Sequence, residues 1–369
     1  MLERFEVENF KGFERPIVFD LSARDYSFNS EIIKNGIVNK ALIYGKNGTG
    51  KSNLGSALFD IIYHLTDKER IGGNNYLFYK NLKHVDKPIR FYYRFNFDGD
   101  IIEYEYYKFD ADNLLSERLT VNSENVLFFD YFNRNENHID PIVSGDVSVN
   151  LVDNKLSIIK YLGRSTPTDY YPPLFKMIRF AENMLWYRSL SDGNMYAGHT
   201  NGIGNVLAPI YEMGKLKDFK EFLFENGIDY DMDFEATENG RMLFVYFNDR
   251  KNKAPFFDIA STGTKALELY YYWKTFAFKN ISFLFIDEFD AFFHYESAEY
   301  LVKRLNKARS FQTILTTHNT YLMKNSLTRP DCCYIMANGQ IKNLVDSSDR
   351  EIREAHNLEK MYINGAFVE

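Results

Sequence analysis

Hydrophobic and polar positions alternate from the first residues onward. Phe5 and Val7, then Ile17, Phe19 and Leu21, recur at period two, which predicts two antiparallel strands joined around Gly12. Residues 41–44 form a short apolar run that ends in GKNGTGKS, and Leu54, Leu58, Ile61 and Ile62 follow at helical spacing. The order is therefore strand, glycine-rich loop, helix. Alternation resumes over residues 89–109 with Asp98-Gly99 as a hairpin turn, and a further strand signal covers 126–132.

The stretch 135–235 breaks this rhythm with Pro167, the pair Pro172-Pro173, and Gly193, Gly198, Gly202 and Gly204. It reads as an inserted, mostly helical region, in which Leu174, Met177, Ile178, Ala181 and Leu185 fall on one helical stripe suited to core packing. Beyond residue 240 strands and helices alternate: RMLFVYF, a helix over 264–278, ISFLFI, a helix over 297–307, and QTILTT. This is the punctuation of a parallel sheet covered by helices. Residues 346–369 read as a charged turn and a short amphipathic helix. No heptad pattern lasts long enough for a long coiled coil. The expected architecture is an α/β head with a mixed sheet and an antiparallel N-terminal β lobe, divided as 1–134, 135–235, 236–345 and 346–369.

Composition narrows the classes. Hydrophobic residues make up 45% and charged residues 26%, the balance of a soluble globular chain. Lys and Arg number 44 against 51 Asp and Glu, so the whole-molecule field repels a phosphate backbone and any nucleic-acid contact must be local. Cys332 and Cys333 are adjacent, the amino terminus has no apolar leader core, and no apolar run approaches the roughly 20 residues of a membrane span, so a cytoplasmic location without a membrane is expected. Residues 301–330 carry Lys303, Arg304, Lys307, Arg309, Lys324 and Arg329 and no acid, which suits a solvated face, DNA backbone contact or an acidic partner surface. Asp229, Asp231 and Asp233 alternate, but Phe234 stands where a calcium loop needs glycine, so they read as one acidic face.

The strongest chemical signal is Gly45-Lys46-Asn47-Gly48-Thr49-Gly50-Lys51-Ser52, with Asn53 after it, placed between a strand and a helix as a phosphate-binding P-loop requires. Glycines let successive N–H groups point inward, and the positive end of the next helix adds to that field. Lys51 is expected on the terminal phosphates of ATP and Ser52 on Mg²⁺. The second signal is the strand 283–286 followed by Asp287 and Glu288, two acids at a strand's carboxyl end. Asp287 is expected to hold the metal through water and Glu288 to orient the attacking water.

Ser261-Thr262-Gly263-Thr264-Lys265 precedes this strand, and Thr316-Thr317-His318 closes the next one. A P-loop, a serine-glycine signature, an Asp-Glu strand end and a strand-end histidine, in that order, resemble the ABC-type ATPases of the RecF, SMC-head and OLD branch. The signature STGTKALEL and the closing NLEKMYINGAFVE look most like the ATPase subunits of prokaryotic abortive-infection and anti-phage systems, PARIS-like and Septu-like among them. The resemblance implies that Ser261 and Gly263 of one protomer cap the nucleotide in another's P-loop, that His318 senses the γ-phosphate, and that Asp290 lies in a loop coupling the two sites. It further implies a homodimer or higher oligomer acting as the sensor or regulatory subunit of a defence module. An effector protein encoded nearby would be the partner, and DNA or a phage-derived protein the trigger. The rival reading is a RecF-like repair ATPase that binds DNA in an ATP-dependent way. The pattern departs from the family at one point. Gln312 and Gln340, the chain's two glutamines, stand too far along to be the metal-binding glutamine between P-loop and signature, leaving Asn74, Asn75 or water to complete the Mg²⁺ shell.

Overall fold

A computed structural model describes residues 1–68, 78–145, 147, 153–188, 195–198, 202–203, 206–238 and 240–367; Asn74, Asn75, Gly193 and Gly204 lie outside these. The early alternation becomes a seven-stranded antiparallel sheet, ordered His138–Ile139, Glu124–Asp130, Leu114–Val121, Asp100–Lys108, Ile89–Phe97, Leu2–Glu8, Ile17–Asp20. Period two sorts its side chains: Phe91, Tyr93 and Phe95 are buried, while Arg90 on the opposite face bridges Glu6 at 2.7 Å and Glu105 at 2.5 Å. Asp98 and Gly99 both take positive φ, 57° and 107°, at the hairpin between the two longest strands.

The second sheet has eight described strands, ordered Gly202–Ile203, Met195–Gly198, Met184–Arg188, Phe283–Asp287, Gln312–Thr317, Lys40–Tyr44, Cys333–Ala337, Gln340–Asn343. The five from Met184–Arg188 to Cys333–Ala337 run parallel, and the flanking pairs are antiparallel, which makes it the mixed sheet expected. Its central strands Lys40–Tyr44, Phe283–Asp287 and Gln312–Thr317 are buried on both faces. Ala41, Ile43, Phe283 and Phe285 pack into a core shared with the β lobe and with Leu54, Leu58, Ile61 and Ile62. Leu42, Tyr44, Leu284 and Ile286 face a second core with Leu267, Leu269, Leu301 and Phe222. Residues of the helices Lys51–Leu58 and Asp60–Leu65 thus cover one face, and those of Thr262–Phe276, Tyr295–Asn306 and Leu216–Glu225 the other.

The stretch 135–235 contributes the helices Ile158–Ser165, Pro172–Glu182, Leu207–Glu212 and Leu216–Glu225, and also the strand Met184–Arg188 inside the central sheet. Leu185, expected on the helical stripe of Leu174, is the second residue of that strand. The helix stops at Glu182 because the next apolar residues find a fully buried place beside Phe283–Asp287, where strand pairing satisfies their backbone. Residues of Met232–Thr237, Gly240–Phe247 and Asn252–Pro255 form a small antiparallel sheet, and Leu358–Ile363 is the short C-terminal helix.

Gln312 is a structural clamp. Its side chain is buried, accepting from Leu2 N at 3.0 Å and donating to the carbonyls of Leu2 and Val38 at 2.9 Å each, so the first strand is tied to the central sheet.

Candidate functional site

The parallel strands deliver their carboxyl ends to one edge, where open α/β sheets hold ligands. Lys40–Tyr44 leads directly into the P-loop. Gly48 and Gly50 take φ of 78° and 105°, conformations closed to most side chains. A Cβ on Gly50 would lie 2.6 Å from Phe13 of the β lobe, and one on Gly45 would lie 2.6 Å from the Met336 carbonyl, so the loop is tightly seated on both sides. Thr49 Oγ1 donates to the Lys46 carbonyl at 2.9 Å, closing the turn, and Asn47 is exposed at its tip. Lys51 opens the helix and is nearly buried; its Nζ donates to the carbonyls of Gly45 at 2.7 Å and Lys46 at 3.1 Å. Burial lowers its pKa, opposed by the charges of Asp287 and Glu288. Ser52 and Asn53 complete the first turn.

Asp287 ends its strand fully buried. Its Oδ1 accepts from Thr316 Oγ1 at 2.7 Å, and its Oδ2 has no hydrogen bond, lying 3.5 Å from Arg188 Nε. Glu288 stands at φ 50°, a left-handed backbone unusual for this residue, with its N–H donated to Thr316 Oγ1 at 2.7 Å. Its Oε1 pairs with Arg188 Nη2 at 3.0 Å, while Oε2 has no hydrogen bond. Asp290 accepts from Thr317 Oγ1 at 2.8 Å, and burial raises its pKa above the usual carboxylate range. His318 sits below its ordinary pKa through desolvation and then the charge of Lys51. Asn47, Glu288, Asp290, Ala291, His318 and Asn319 line one open cleft of about 480 Å³.

The signature residues stand apart. Ser261 is exposed and caps the helix Thr262–Phe276, its Oγ accepting from Thr264 N at 3.1 Å. A Cβ on Gly263 would lie 2.8 Å from the Phe292 carbonyl, so this helix end is pressed onto the loop that follows Glu288 and Asp290. Neither Ser261 nor Gly263 lines the cleft of its own chain.

These residues fit nucleotide and Mg²⁺ on chemical grounds. Asp287 Oδ2 is a hard oxygen, buried and without a hydrogen-bond donor. The loop supplies a glycine cradle and a lysine that now holds only backbone carbonyls. Among the described residues no group of three or more His, Cys, Asp or Glu makes a metal site of its own. Asp231 instead pairs with Arg250 at 2.6 Å. Cys332 and Cys333 are buried free thiols.

Four of the six cations of the basic run 301–330 pair with three acids, two of which, Glu299 and Asp331, flank the run. Lys303 and Lys324 share Glu299 at 2.6 and 2.5 Å, Arg304 pairs with Glu225 at 2.9 Å, and Arg329 is buried against Asp331 at 2.8 Å. Three participants at the site escaped sequence reasoning. Thr316 and Thr317 were legible only as neighbours of His318, and nothing but the cation ending the apolar run MLWY marks Arg188.

No helix among the described residues is long and apolar enough to cross a membrane. A comparison with curated proteins gives no match. Among solved structures, the chain is similar to the SMC head domain from Thermotoga maritima, at 14% identity and TM-score 0.41, covering 93% of this chain and 98% of that one. It is also similar to an SmcHead bound to the C-winged helix domain of ScpA, at 15% identity and TM-score 0.42, covering 92% and 96%. The family model described as "AAA domain, putative AbiEii toxin, Type IV TA system" matches residues 40–324, from the P-loop strand past the strand-end histidine. With that match spanning most of its length and the P-loop in place at its start, the chain belongs to this AAA family and is a P-loop NTPase.

Proposed function

We propose that the chain binds ATP with Mg²⁺, hydrolyses it, and oligomerises through shared nucleotide sites as the sensor or regulatory subunit of an anti-phage defence system. The observation that carries the catalytic part is the convergence of Asn47, Glu288, Asp290 and His318 on one cleft beside the P-loop. In this reading the P-loop N–H groups and Lys51 hold the phosphates, Lys51 exchanging its loop carbonyls for phosphate oxygens. Ser52 and Asp287 Oδ2 hold Mg²⁺, which neutralises charge on the phosphate oxygens when bound. Glu288 Oε2 takes the proton of the attacking water, and His318, in the same cleft, contacts the γ-phosphate. Ser261, exposed and not lining the cleft of its own chain, completes the site of a neighbouring copy, so that ATP favours the closed assembly and hydrolysis loosens it.

The defence role rests on the family's link to abortive infection and toxin–antitoxin systems, with an effector encoded nearby as partner. The RecF-like alternative is not favoured, since four of the six cations of the basic run are already paired.

The test is light-scattering mass of the Glu288→Gln variant with and without ATP and Mg²⁺, alongside mass spectrometry of proteins that co-purify. A mass increase on ATP addition with a bound effector is expected. A constant monomer would overturn the shared-site reading.

A further inference from the structure

The strand Met184–Arg188 is the parallel neighbour of Phe283–Asp287, and Arg188 is in register with Asp287. Its guanidinium therefore meets both acids of the site, at 3.0 Å from Glu288 Oε1 and 3.5 Å from Asp287 Oδ2. Lys51, also at this edge, donates its hydrogen bonds to loop carbonyls instead.

Two facts of chemistry then conflict. A guanidinium has only donors and cannot ligate a cation, so it and Mg²⁺ compete for Asp287 Oδ2. Yet it is the side chain best shaped to grip phosphate oxygens. Its side chain is 43% exposed, against 0% for Asp287, so it can leave the acids without unpacking the core.

We propose that Arg188 is a latch of the nucleotide site: it ties Glu288 and screens Asp287 in the resting chain, and transfers to the terminal phosphate when a nucleoside triphosphate enters. Transfer takes the competing positive charge away from Asp287 Oδ2 and releases Glu288 Oε1 from its ion pair. A diphosphate lacks the γ-phosphate that the guanidinium would grip, so the latch returns to Glu288 after hydrolysis. This rests on the nucleotide reading above, and the experiment separates the two.

The test is calorimetric titration of the full chain with ATP and with ADP in EDTA, where no metal intervenes, for wild type, Arg188→Gln, Arg188→Lys and Lys51→Ala. Wild type is expected to prefer ATP. Arg188→Gln should lose about tenfold in ATP affinity, the scale of one charge-assisted hydrogen bond, with ADP affinity little changed. Arg188→Lys, which keeps the charge, should restore most of the loss. Equal losses for ATP and ADP in Arg188→Gln, or none for either, would overturn the latch while leaving nucleotide binding intact. Binding of neither nucleotide by wild type would overturn the nucleotide reading and the latch with it.

Discussion

Lys51 has no carboxylate in hydrogen-bond contact and spends its donors on Gly45 and Lys46, which leaves its charge available to an incoming phosphate. Lys51→Ala should therefore abolish nucleotide binding in calorimetry while leaving the melting temperature close to wild type. Glu288→Gln keeps the shape of the side chain and removes the proton acceptor, so ATP binding should persist while turnover falls by about a hundredfold or more; unchanged hydrolysis would refute the assignment of the base. Glu268 shows a different consequence of burial. It lies on the helix behind Ser261, nearly buried, and desolvation pushes its pKa up to about 8 from the ordinary 4.5. The folded state therefore binds a proton that the unfolded state releases, and the stability it contributes is whole below pH 4.5 and lost as pH rises through about 8. Glu268→Gln, neutral at every pH, should melt higher than wild type at about pH 9 and show a smaller difference at about pH 5.

At the level of elements, the helix capped by Ser261 is joined by close approach to the loop that follows Glu288. Any side chain at Gly263 would strike the Phe292 carbonyl, and the loop from Glu288 to Phe293 would shift with it. Gly263→Ala should reduce turnover with ATP affinity nearly intact, measured as a fall in kcat at constant KM. The first strand depends on one side chain from the far end of the chain. Gln312→Ala strips partners from Leu2 N, Leu2 O and Val38 O together, which should cost about 2–4 kcal/mol in denaturant unfolding. Sequence periodicity marked the first strand by Phe5 and Val7 and read the helix as 264–278 against the observed Thr262–Phe276, since a buried strand and a long helix each impose a pattern wherever they lie. It misplaced Leu185, because a short apolar run after a helix fits either period and only the neighbouring strand decides.

For the whole molecule, the order P-loop, signature, acidic strand and histidine pointed to a P-loop ATPase, and the AAA family match over residues 40–324 agrees at that level. The glycine and lysine positions of the P-loop were legible because a phosphate cradle needs those types at that spacing within a single segment. The alternation of the β lobe was legible for the same local reason. Charge was not: the run of cations over 301–330 looks basic in sequence, yet its partners Glu225, Glu299 and Asp331 come to it through the fold and through its own flank. Arg188 was hidden for a related reason, since its meaning lies in register with Asp287, 99 positions away in the chain. The sequence by itself thus determined what is local: strand and helix periods, the P-loop, and the order of motifs. Only the tertiary structure decided which distant charges neutralise one another and which cation faces the two acids, because those are matters of strand order and register.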